Sequence, residues 1–510
     1  MRAFQSSSRF SRRSALRWGI GGVAGLMVGS ILTACGSSST PASNTAAPSS
    51  AAPASSQSSS STAPAAAPTA AASTSAPTSA AAAPTPAAQT SAATNGQSIK
   101  LVWYQHQYDP TDTVYRKTVF PAIQKQFGVT FDFQVQRDDD YRAKVLPQIA
   151  TGGGPDIFEL GEDFRYKFSQ AGILAPIDYS PWGSQQNYED FWSTGIAKAL
   201  QVNGKDYALP TGWGAFPDNY FVRQDDAEAA GIPASDFDKY QKTPITWNDL
   251  PEWTAKMTVK DSQGRITRDG FMIQHGYGPA RTYAFFKEHF LELGGKVLSA
   301  DGKTSLINSD QGIAVMQYLY DLVYKYQSSV LRPQSNESGS GVVPKNGTAS
   351  TIGLGAWAYP TFQSLDPQNW KTIRNLLTPQ VDPTKPVYLT GPGWNHAVNA
   401  HSKDVAMGFK VLQYVWANYG STFADAGAFV PIKDWMTKYP AVKKLPDSDA
   451  WVKLATDATV YVPPPAELLT ETVRTTGFQT TFEAVMFNKA NIKAEMDKLN
   501  KNIQDALAGN

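Results

Sequence analysis

A low-complexity stretch divides the 510-residue chain into two unequal parts. Residues 36–98 consist almost only of Ala, Ser, Thr and Pro, and residues 1–98 contain no Asp, Glu or Lys. Such a composition buries too little apolar surface to offset the entropy of ordering, which predicts a disordered linker over residues 35–98. The 412 residues that follow, 99–510, are enough to build two hydrophobic cores.

An apolar segment precedes this linker. Residues 18–34 carry no charge, and the only cysteine of the chain closes the segment in the run Leu32-Thr33-Ala34-Cys35. A basic front, a short apolar stretch and small residues at its end are typical of a signal peptide, predicted here as residues 1–34. The run resembles the lipobox of bacterial lipoproteins, which implies lipidation of Cys35. A secretory peptide with an incidental cysteine is the alternative.

The basic front contains two adjacent arginines, Arg12 and Arg13, with Leu16 shortly after them. This spacing resembles the twin-arginine export signal, which implies that the protein crosses the membrane already folded. An ordinary basic front, which needs no particular spacing, is the alternative.

The charge balance argues against one class of partner. Five of the 45 basic residues lie before the linker, so residues 99–510 hold 40 basic and 44 acidic side chains, a net charge of −4. A nucleic-acid-binding domain needs a clustered basic surface, so we expect no nucleic acid partner. With the single cysteine assigned to lipid, no disulfide and no thiolate metal site is expected, and no metal or other cofactor is predicted.

The folded part begins with alternating strands and helices. Strands are predicted at Ile99–Tyr104, Val129–Val135 and Asp156–Leu160, and helices at Val114–Phe127 and Asp140–Thr151. This order is typical of a parallel α/β sheet, in which ligands bind at the carboxyl ends of the strands. The rule points to residues 104–107 and 159–163.

A series of short motifs runs through the rest of the chain. These are Tyr141–Lys144, Gly154–Ile157, Ala171–Asp178, Asn203–Pro210, Pro244–Leu250, Ile352–Trp357, Tyr388–Asn395 and Ser402–Trp416. In this order they resemble family 1 extracellular solute-binding proteins, the maltose-binding-protein-like receptors of ABC importers. One departure lies at residues 220–223, where the family often has Tyr-Asn-Lys and this chain has Tyr-Phe-Val-Arg.

The resemblance implies an α/β fold of two lobes, each a mixed sheet flanked by helices, with three interlobe crossings. It places the first lobe at about 99–211 and 394–440 and the second at about 212–393 and 441–510. The implied protein is a monomer that is lipid-anchored to the outer face of the bacterial cell membrane. Its lobes would close over a carbohydrate by hinge motion and deliver it to the permease subunits.

A sugar site needs aromatic platforms interleaved with polar groups, because sugars present flat C–H faces ringed by hydroxyls. Three tryptophans at Gly-flanked strand ends, Trp213, Trp357 and Trp394, are the predicted platforms. Packing in a core is the alternative for each of them.

Polar and aromatic candidates follow from the strand ends and from the resemblance. The remaining predicted ligand-binding residues are Tyr104, His106, Asp140, Glu159, Asp163, Asn395 and Phe478. The resemblance implies ligand contact for Asp140 and Asp163 and a position lining the cleft for Asn395 and Phe478. Solvated carboxylates and a structural histidine are the alternatives.

Several enzyme motifs are missing from the sequence: it has no Gly-x-Ser-x-Gly, no His-Glu-x-x-His and no P-loop. No catalytic residue is therefore predicted, and the chain is expected not to be an enzyme. Paired carboxylates such as Glu159 and Asp163 leave a lipid-anchored glycoside-hydrolase-like enzyme as an alternative. A binding protein for a non-sugar solute and a surface scaffold without a ligand are the others.

Overall fold

The computed structural model describes residues 99–510 apart from 138–139, 152, 194, 212–217, 276–278, 332–342, 344–346, 356, 391–392 and 510. The predicted signal peptide, Cys35 and linker lie outside the described residues, as does Trp213. The predictions for those positions therefore stay predictions.

Eleven strands are found in the described part of the chain. They are β1 (Ile99–His106), β2 (Val129–Gln136), β3 (Ile157–Leu160), β4 (Asn219–Arg223), β5 (Val259–Lys260), β6 (Ile266–Arg268), β7 (Thr351–Leu354), β8 (Ile373–Leu376), β9 (Tyr388–Thr390), β10 (Asn395–Val398) and β11 (Ala458–Val460).

Helices cover the faces of these strands. The α-helices are Asp109–Val114, Phe120–Phe127, Leu146–Ile149, Glu162–Gln170, Gln185–Phe191, Ile196–Ala199, Gln224–Ala229, Ala234–Tyr240, Leu250–Ala255, Pro279–Glu292, Asp310–Tyr324, Ala358–Leu365, Val405–Asp425, Trp435–Lys438, Ser448–Asp457, Pro465–Leu469, Glu471–Asn488 and Ile492–Ala508. Two wider π-type segments, Tyr115–Val119 and Tyr141–Val145, and short 3₁₀ turns complete them.

The first sheet has the strand order β10-β3-β1-β2. β1 is parallel to both β2 and β3, as the βαβ pattern predicts, whereas β10 runs antiparallel to β3 with His396 opposite Glu159. The carboxyl ends of β1 and β3 therefore meet the amino end of β10 at one edge of the sheet. That edge is where the rule for parallel sheets places a ligand.

A glycine ends the helical segment before β3. Gly154 has φ +119°, a backbone conformation that L side chains rarely adopt, and an added Cβ would lie 3.3 Å from Ile149 Cγ1. The Gly-Pro pair at 154–155 therefore turns the chain from the helix Leu146–Ile149 into β3.

The second sheet has the strand order β7-β4-β8, with β4 antiparallel to both neighbours. Side chains on β4 alternate between its faces, so Phe221 packs against Phe362 at 5.1 Å between ring centres while Tyr220 packs against Phe271 at 5.9 Å. Phe362 belongs to the helix Ala358–Leu365, and Phe271 in turn packs against Phe285 of the helix Pro279–Glu292, so helices flank both faces. The α/β class with sheets flanked by helices is confirmed.

Two large hydrophobic cores surround these sheets. The first core includes Trp103 and Trp416, and the second includes Tyr220 and Phe286. Trp451, which the sequence places in the second lobe, packs in the first core. The exact division of the chain between the lobes stays a prediction.

The part of the chain that the structure describes holds no helix both long enough and apolar enough to span a bilayer.

Candidate ligand-binding site

A cluster of aromatic and polar side chains lies where β1 and β3 end and β10 begins. The His106 ring stacks on the Trp394 ring with 4.3 Å between centres and 18° between planes. His106 Nδ1 lies 2.7 Å from Glu159 Oε2, and the Tyr141 ring meets Trp394 edge-on at 5.7 Å. The structure thus brings together His106, Glu159 and Trp394, which were predicted separately.

Glu159 supports this cluster from inside the lobe. Its side chain has 0% exposure, and Oε2 also accepts a hydrogen bond from the His106 backbone N–H at 3.3 Å. Its other oxygen, Oε1, lies 3.8 Å from His396 Nε2. Because the carboxylate has no exposed surface, it holds His106 in place rather than facing a ligand in this conformation.

His396 extends the same chain of contacts toward the predicted first crossing. Its Nδ1 lies 2.6 Å from Thr211 Oγ1, and the Thr211 hydroxyl oxygen accepts the His396 backbone N–H at 3.0 Å. Burial lowers the pKa of His396 to about 4, with Glu159 acting in the opposite direction. The imidazole is therefore neutral at physiological pH and serves as a buried hydrogen-bonding group.

Tyr141 connects the cluster to the next predicted residues. Its hydroxyl donates to the carbonyl of Glu159 at 2.8 Å and contacts that of Tyr104 at 3.3 Å. Tyr104 and Asp140 line a polar hollow of about 220 Å³ together with Lys144. Asp140 Oδ1 lies 2.7 Å from Lys144 Nζ, and this hydrogen bond lowers the pKa of the carboxyl group.

Asn395 shapes the loop that carries Trp394. Its side chain is 1% exposed, and Nδ2 donates to the Gly393 carbonyl at 2.7 Å. Its backbone pairs with Leu160 of β3. These contacts fix Trp394 at the sheet edge, so Asn395 positions the indole and is not itself open to solvent.

Trp357 stands at the corresponding end of the second sheet, just after β7. Its ring is half-buried, and the Arg281 guanidinium lies 5.7 Å from the ring centre while Arg281 Nη1 lies 3.1 Å from Asp218 Oδ2. A Cβ at Gly355 would come within 2.5 Å of the indole. The glycine before this tryptophan is therefore required by the close approach of backbone and ring.

The two lobes contact each other beside these tryptophans. Tyr108, which follows β1, donates its hydroxyl hydrogen to the Trp357 carbonyl at 2.8 Å. A second contact joins Lys167 Nζ to Thr472 Oγ1 at 2.8 Å. The Trp394 and Trp357 regions thus belong to lobes that touch in this conformation.

Phe478 stands apart from the cluster, and for two other predicted residues the structure describes no side chain. Phe478 has 0% exposure and packs in the second core with its ring centre 4.5 Å from that of Phe286. A side chain without exposed surface is not available to a ligand in this conformation, so we correct its predicted position and leave it out of the site. Asp163 lies in the helix Glu162–Gln170, but its side chain and Trp213 are outside the described residues.

Other residues of the site were not predicted. Tyr141 and Arg142 stand in a motif that carried the family resemblance, so their positions were visible although their roles were not. Tyr108 and Arg281 gave no sequence signal. Tyr108 is an ordinary aromatic residue just before the helix Asp109–Val114, and Arg281 is an ordinary basic residue within the helix Pro279–Glu292. His396 lies in β10 between Asn395 and Ala397, and this short strand gives no sequence signal for its role.

No group of three or more His, Cys, Asp or Glu side chains is arranged to hold a metal ion within the described ranges. A larger hollow of about 450 Å³, lined by Tyr324, Leu331 and Phe487 among others, contains none of the predicted site residues.

The family follows from comparison with known proteins. Residues 110–417, more than half of the chain, match the model of the bacterial extracellular solute-binding protein family. The chain belongs to this family, as its motifs predicted. Family and fold are those of solute-binding proteins that work outside the cytoplasm.

Individual relatives agree with this assignment. The diacetylchitobiose-binding protein DasA of Streptomyces coelicolor is 22% identical over 65% of this chain and 73% of its own length. An ABC transporter solute-binding protein of Thermotoga lettingae bound with α-D-tagatose has a TM-score of 0.66 at 18% identity, over 80% of this chain and 100% of that one. Lmo0181 of Listeria monocytogenes, in complex with cycloalternan, also reaches 0.66 at 16% identity, over 81% and 100%. The two-lobed periplasmic-binding-protein-like fold is thereby confirmed.

Proposed function

We propose that this protein captures a mono- or oligosaccharide between its two lobes and delivers it to the permease subunits of an ABC importer. The observation that carries the proposal is the pair of half-buried tryptophans, Trp394 and Trp357, one at the edge of each sheet. Each indole has charged or hydrogen-bonding neighbours, Arg142 and His106 at one and Arg281 at the other. Flat apolar rings next to polar groups suit the mixed surface of a sugar.

The relatives support the same ligand class. Those named above bind diacetylchitobiose, tagatose and cycloalternan, which are all carbohydrates of different size. Their identity to this chain is 22% or less, so they support the class of ligand and not a particular sugar.

Capture depends on relative motion of the lobes. A sugar that contacts both tryptophans binds the closed arrangement better than the open one and shifts the population toward it. The closed form is then the one that the permease recognises. We propose that the protein acts in this way as a monomer.

Anchoring keeps the receptor near the permease. The lipobox-like run ending in Cys35 supports attachment to the outer face of the cell membrane, with residues 35–98 as a flexible tether. A single attachment point with a long tether lets the folded part reach the transporter without being fixed in orientation.

We propose binding without turnover. Glu159, one of the carboxylates that favoured a glycoside hydrolase, is fully buried and hydrogen-bonded to His106. Glycoside hydrolysis needs two carboxyl groups that flank the scissile bond, and a carboxylate behind a histidine does not reach it. Product analysis after long incubation with oligosaccharides tests this point, and cleavage products at catalytic amounts of protein would contradict it.

Titration calorimetry of the purified protein against a panel of mono- and oligosaccharides tests the proposal. Polyamines and short peptides in the same panel represent non-sugar solutes. We expect saturable binding of at least one sugar and none of the other compounds. Binding confined to a polyamine or a peptide would contradict the proposed ligand class.

A further inference from the structure

The polar hollow of about 220 Å³ that Tyr104 and Asp140 line, which we call the β2 hollow, has further polar groups in its wall. Three solvent-exposed glutamines, Gln134, Gln136 and Gln148, also line it. In the part of the chain that the structure describes, the side-chain amides of these glutamines make no hydrogen bond. The hollow therefore presents hydrogen-bonding groups that are open to a ligand.

The strand β2 determines where two of these glutamines lie. Side chains on a strand alternate between its faces, so Gln134 and Gln136 are on the same face. β2 is the last strand of the first sheet and is parallel to β1, with Gln134 opposite Tyr104 and Gln136 opposite His106. Gln136 is also the last residue of β2. The hollow thus lies at the carboxyl end of a parallel strand, where ligands bind in such sheets.

The chemistry of the hollow suits an uncharged ligand that is rich in hydroxyls. An amide side chain has one acceptor oxygen and two N–H donor positions, so it pairs with a hydroxyl in either direction. Among the described residues of the wall, the two charged side chains, Asp140 and Lys144, lie 2.7 Å apart and balance each other. The volume is smaller than the roughly 300–1,000 Å³ of pockets for drug-sized ligands. One sugar ring is a ligand of the right size and polarity.

Tyr141 links the β2 hollow to Trp394. Its ring meets Trp394 edge-on at 5.7 Å, and its hydroxyl contacts the carbonyl of Tyr104, a residue of the hollow, at 3.3 Å. Trp394 directly precedes β10, and the strand order β10-β3-β1-β2 puts three strand spacings, roughly 14 Å, between β10 and β2. A single sugar ring is too short to contact both places, whereas an oligosaccharide is long enough.

We infer that the β2 hollow is a second sugar subsite, which binds a further unit of an oligosaccharide stacked on Trp394, and that Gln134 and Gln136 recognise the hydroxyls of that unit. The inference rests on the proposed function, because it needs a sugar on Trp394. A neutral oligosaccharide is then the ligand class, with one set of contacts at the indole and a separate set at β2.

The dependence of affinity on sugar length tests the second subsite. Titration calorimetry of the full chain with malto-oligosaccharides and chito-oligosaccharides of increasing length measures it. We expect affinity to rise about tenfold or more at the length that first reaches the β2 hollow, because the added hydroxyls pair with amides that have no partner. Binding of monosaccharides alone, or affinity that does not rise with length, would overturn the inference.

Two double variants separate the hollow from other contacts. Gln134→Ala with Gln136→Ala should abolish the gain for the longer sugars and leave the affinity for the shortest bound sugar unchanged. The matched control is Gln124→Ala with Gln126→Ala, which removes two exposed glutamines of the helix Phe120–Phe127 on the same lobe. We expect this control to bind every sugar as the wild type does.

The outcomes distinguish this subsite from the proposed function. If the wild type binds a long sugar and the variant at 134 and 136 binds it equally well, the subsite is wrong while the proposed function stands. The same conclusion follows if that variant weakens short and long sugars by the same factor, since the effect is then not confined to the added unit. If the wild type binds no sugar of the calorimetric panel or of either series, the proposed function fails and the inference fails with it.

Discussion

At the scale of single residues, the first-lobe site consists of one indole and the side chains that hold it. His106, Tyr141 and Asn395 fix Trp394, and the buried Glu159 fixes His106 in turn. A binding site needs such support, because affinity for the sugar falls when the aromatic ring on which the sugar stacks is mobile. The sequence predicted three of these supports, but as ligand contacts rather than as residues that position Trp394.

Replacing the platform tests its role. We expect Trp394→Ala to weaken sugar affinity about tenfold or more, because both stacking and buried apolar area are lost, and Trp394→Phe to weaken it less. Trp370 offers a control, since it is half-buried and precedes β8 at the end of the second sheet remote from Trp357. Equal effects of Trp394→Ala and Trp370→Ala in calorimetry would argue against a platform at Trp394.

A buried carboxyl group beside the site predicts a dependence on pH. Burial, with Glu159 as a second cause, raises the pKa of Asp112 from 3.8 to about 7. The unfolded chain loses this proton first, so the folded state carries a growing penalty as pH rises from about 4 to about 7. Asp112→Asn removes this penalty, because an amide does not ionise, while the side chain at position 112 stays buried.

The measurement is the free energy of unfolding by denaturant at pH 5 and pH 8. We expect the free energy of unfolding of Asp112→Asn, relative to that of the wild type at the same pH, to be higher at pH 8 than at pH 5. The variant also loses part of the hydrogen bonding that Asp112 accepts from the Tyr108 backbone N–H and from Gln105. This loss lowers its free energy of unfolding by the same amount at both pH values. A difference that does not change with pH would show that Asp112 does not titrate as its burial indicates.

At the scale of elements, the sequence predicted what is local and missed what is distant. The strands at 99–104, 129–135 and 156–160 and the helices between them are confirmed to within a few residues, because alternation and stop signals are short-range. The insertion of β10 beside β3 is not visible in such patterns. It brings His396 to Thr211, 185 residues away in sequence.

The contact between the lobes is a further long-range feature. Tyr108 and Trp357 are 249 residues apart, and their hydrogen bond joins the segment after β1 to the segment after β7. Neither residue type predicts the other as its partner, and the backbone carbonyl that accepts the bond has no sequence signal. The sequence therefore predicted Trp357 but not the contact that holds it.

Removing this bond should shift the equilibrium between lobe arrangements. A hydrogen bond contributes about 0.5–1.5 kcal/mol, so Tyr108→Phe should raise the population of the arrangement without the contact by about two- to tenfold. Small-angle scattering or a distance label on each lobe measures the change. Tyr179→Phe is the control, since its hydroxyl donates to Asp206 at 2.7 Å within the first lobe, and a similar shift there would contradict the interlobe role.

At the scale of the whole molecule, a predicted leader and a predicted tether precede a two-lobed solute-binding module. The family assignment rests on residues 110–417, while the leader and tether rest on composition and motif alone. The ligand class could be proposed because aromatic and polar residues cluster at strand ends. A particular sugar could not, because its identity depends on hydroxyl positions that no sequence pattern encodes.

Anchoring is tested by the single cysteine. We expect Cys35→Ser to move the protein from the membrane fraction to the medium or the soluble exported fraction, because the lipid attachment is lost. Fractionation followed by immunodetection measures this. Cys35→Ser protein that stays in the membrane fraction as fully as the wild type would contradict the lipid anchor.

The central claim is that a sugar binds between the lobes and contacts both tryptophan regions. A crystal structure of the protein with a sugar from the calorimetric panel tests it most directly. We predict a sugar ring stacked on Trp394, with the same ligand molecule in contact with the second lobe near Trp357. A sugar bound elsewhere, or bound by one lobe alone with the other lobe unchanged, would contradict the account.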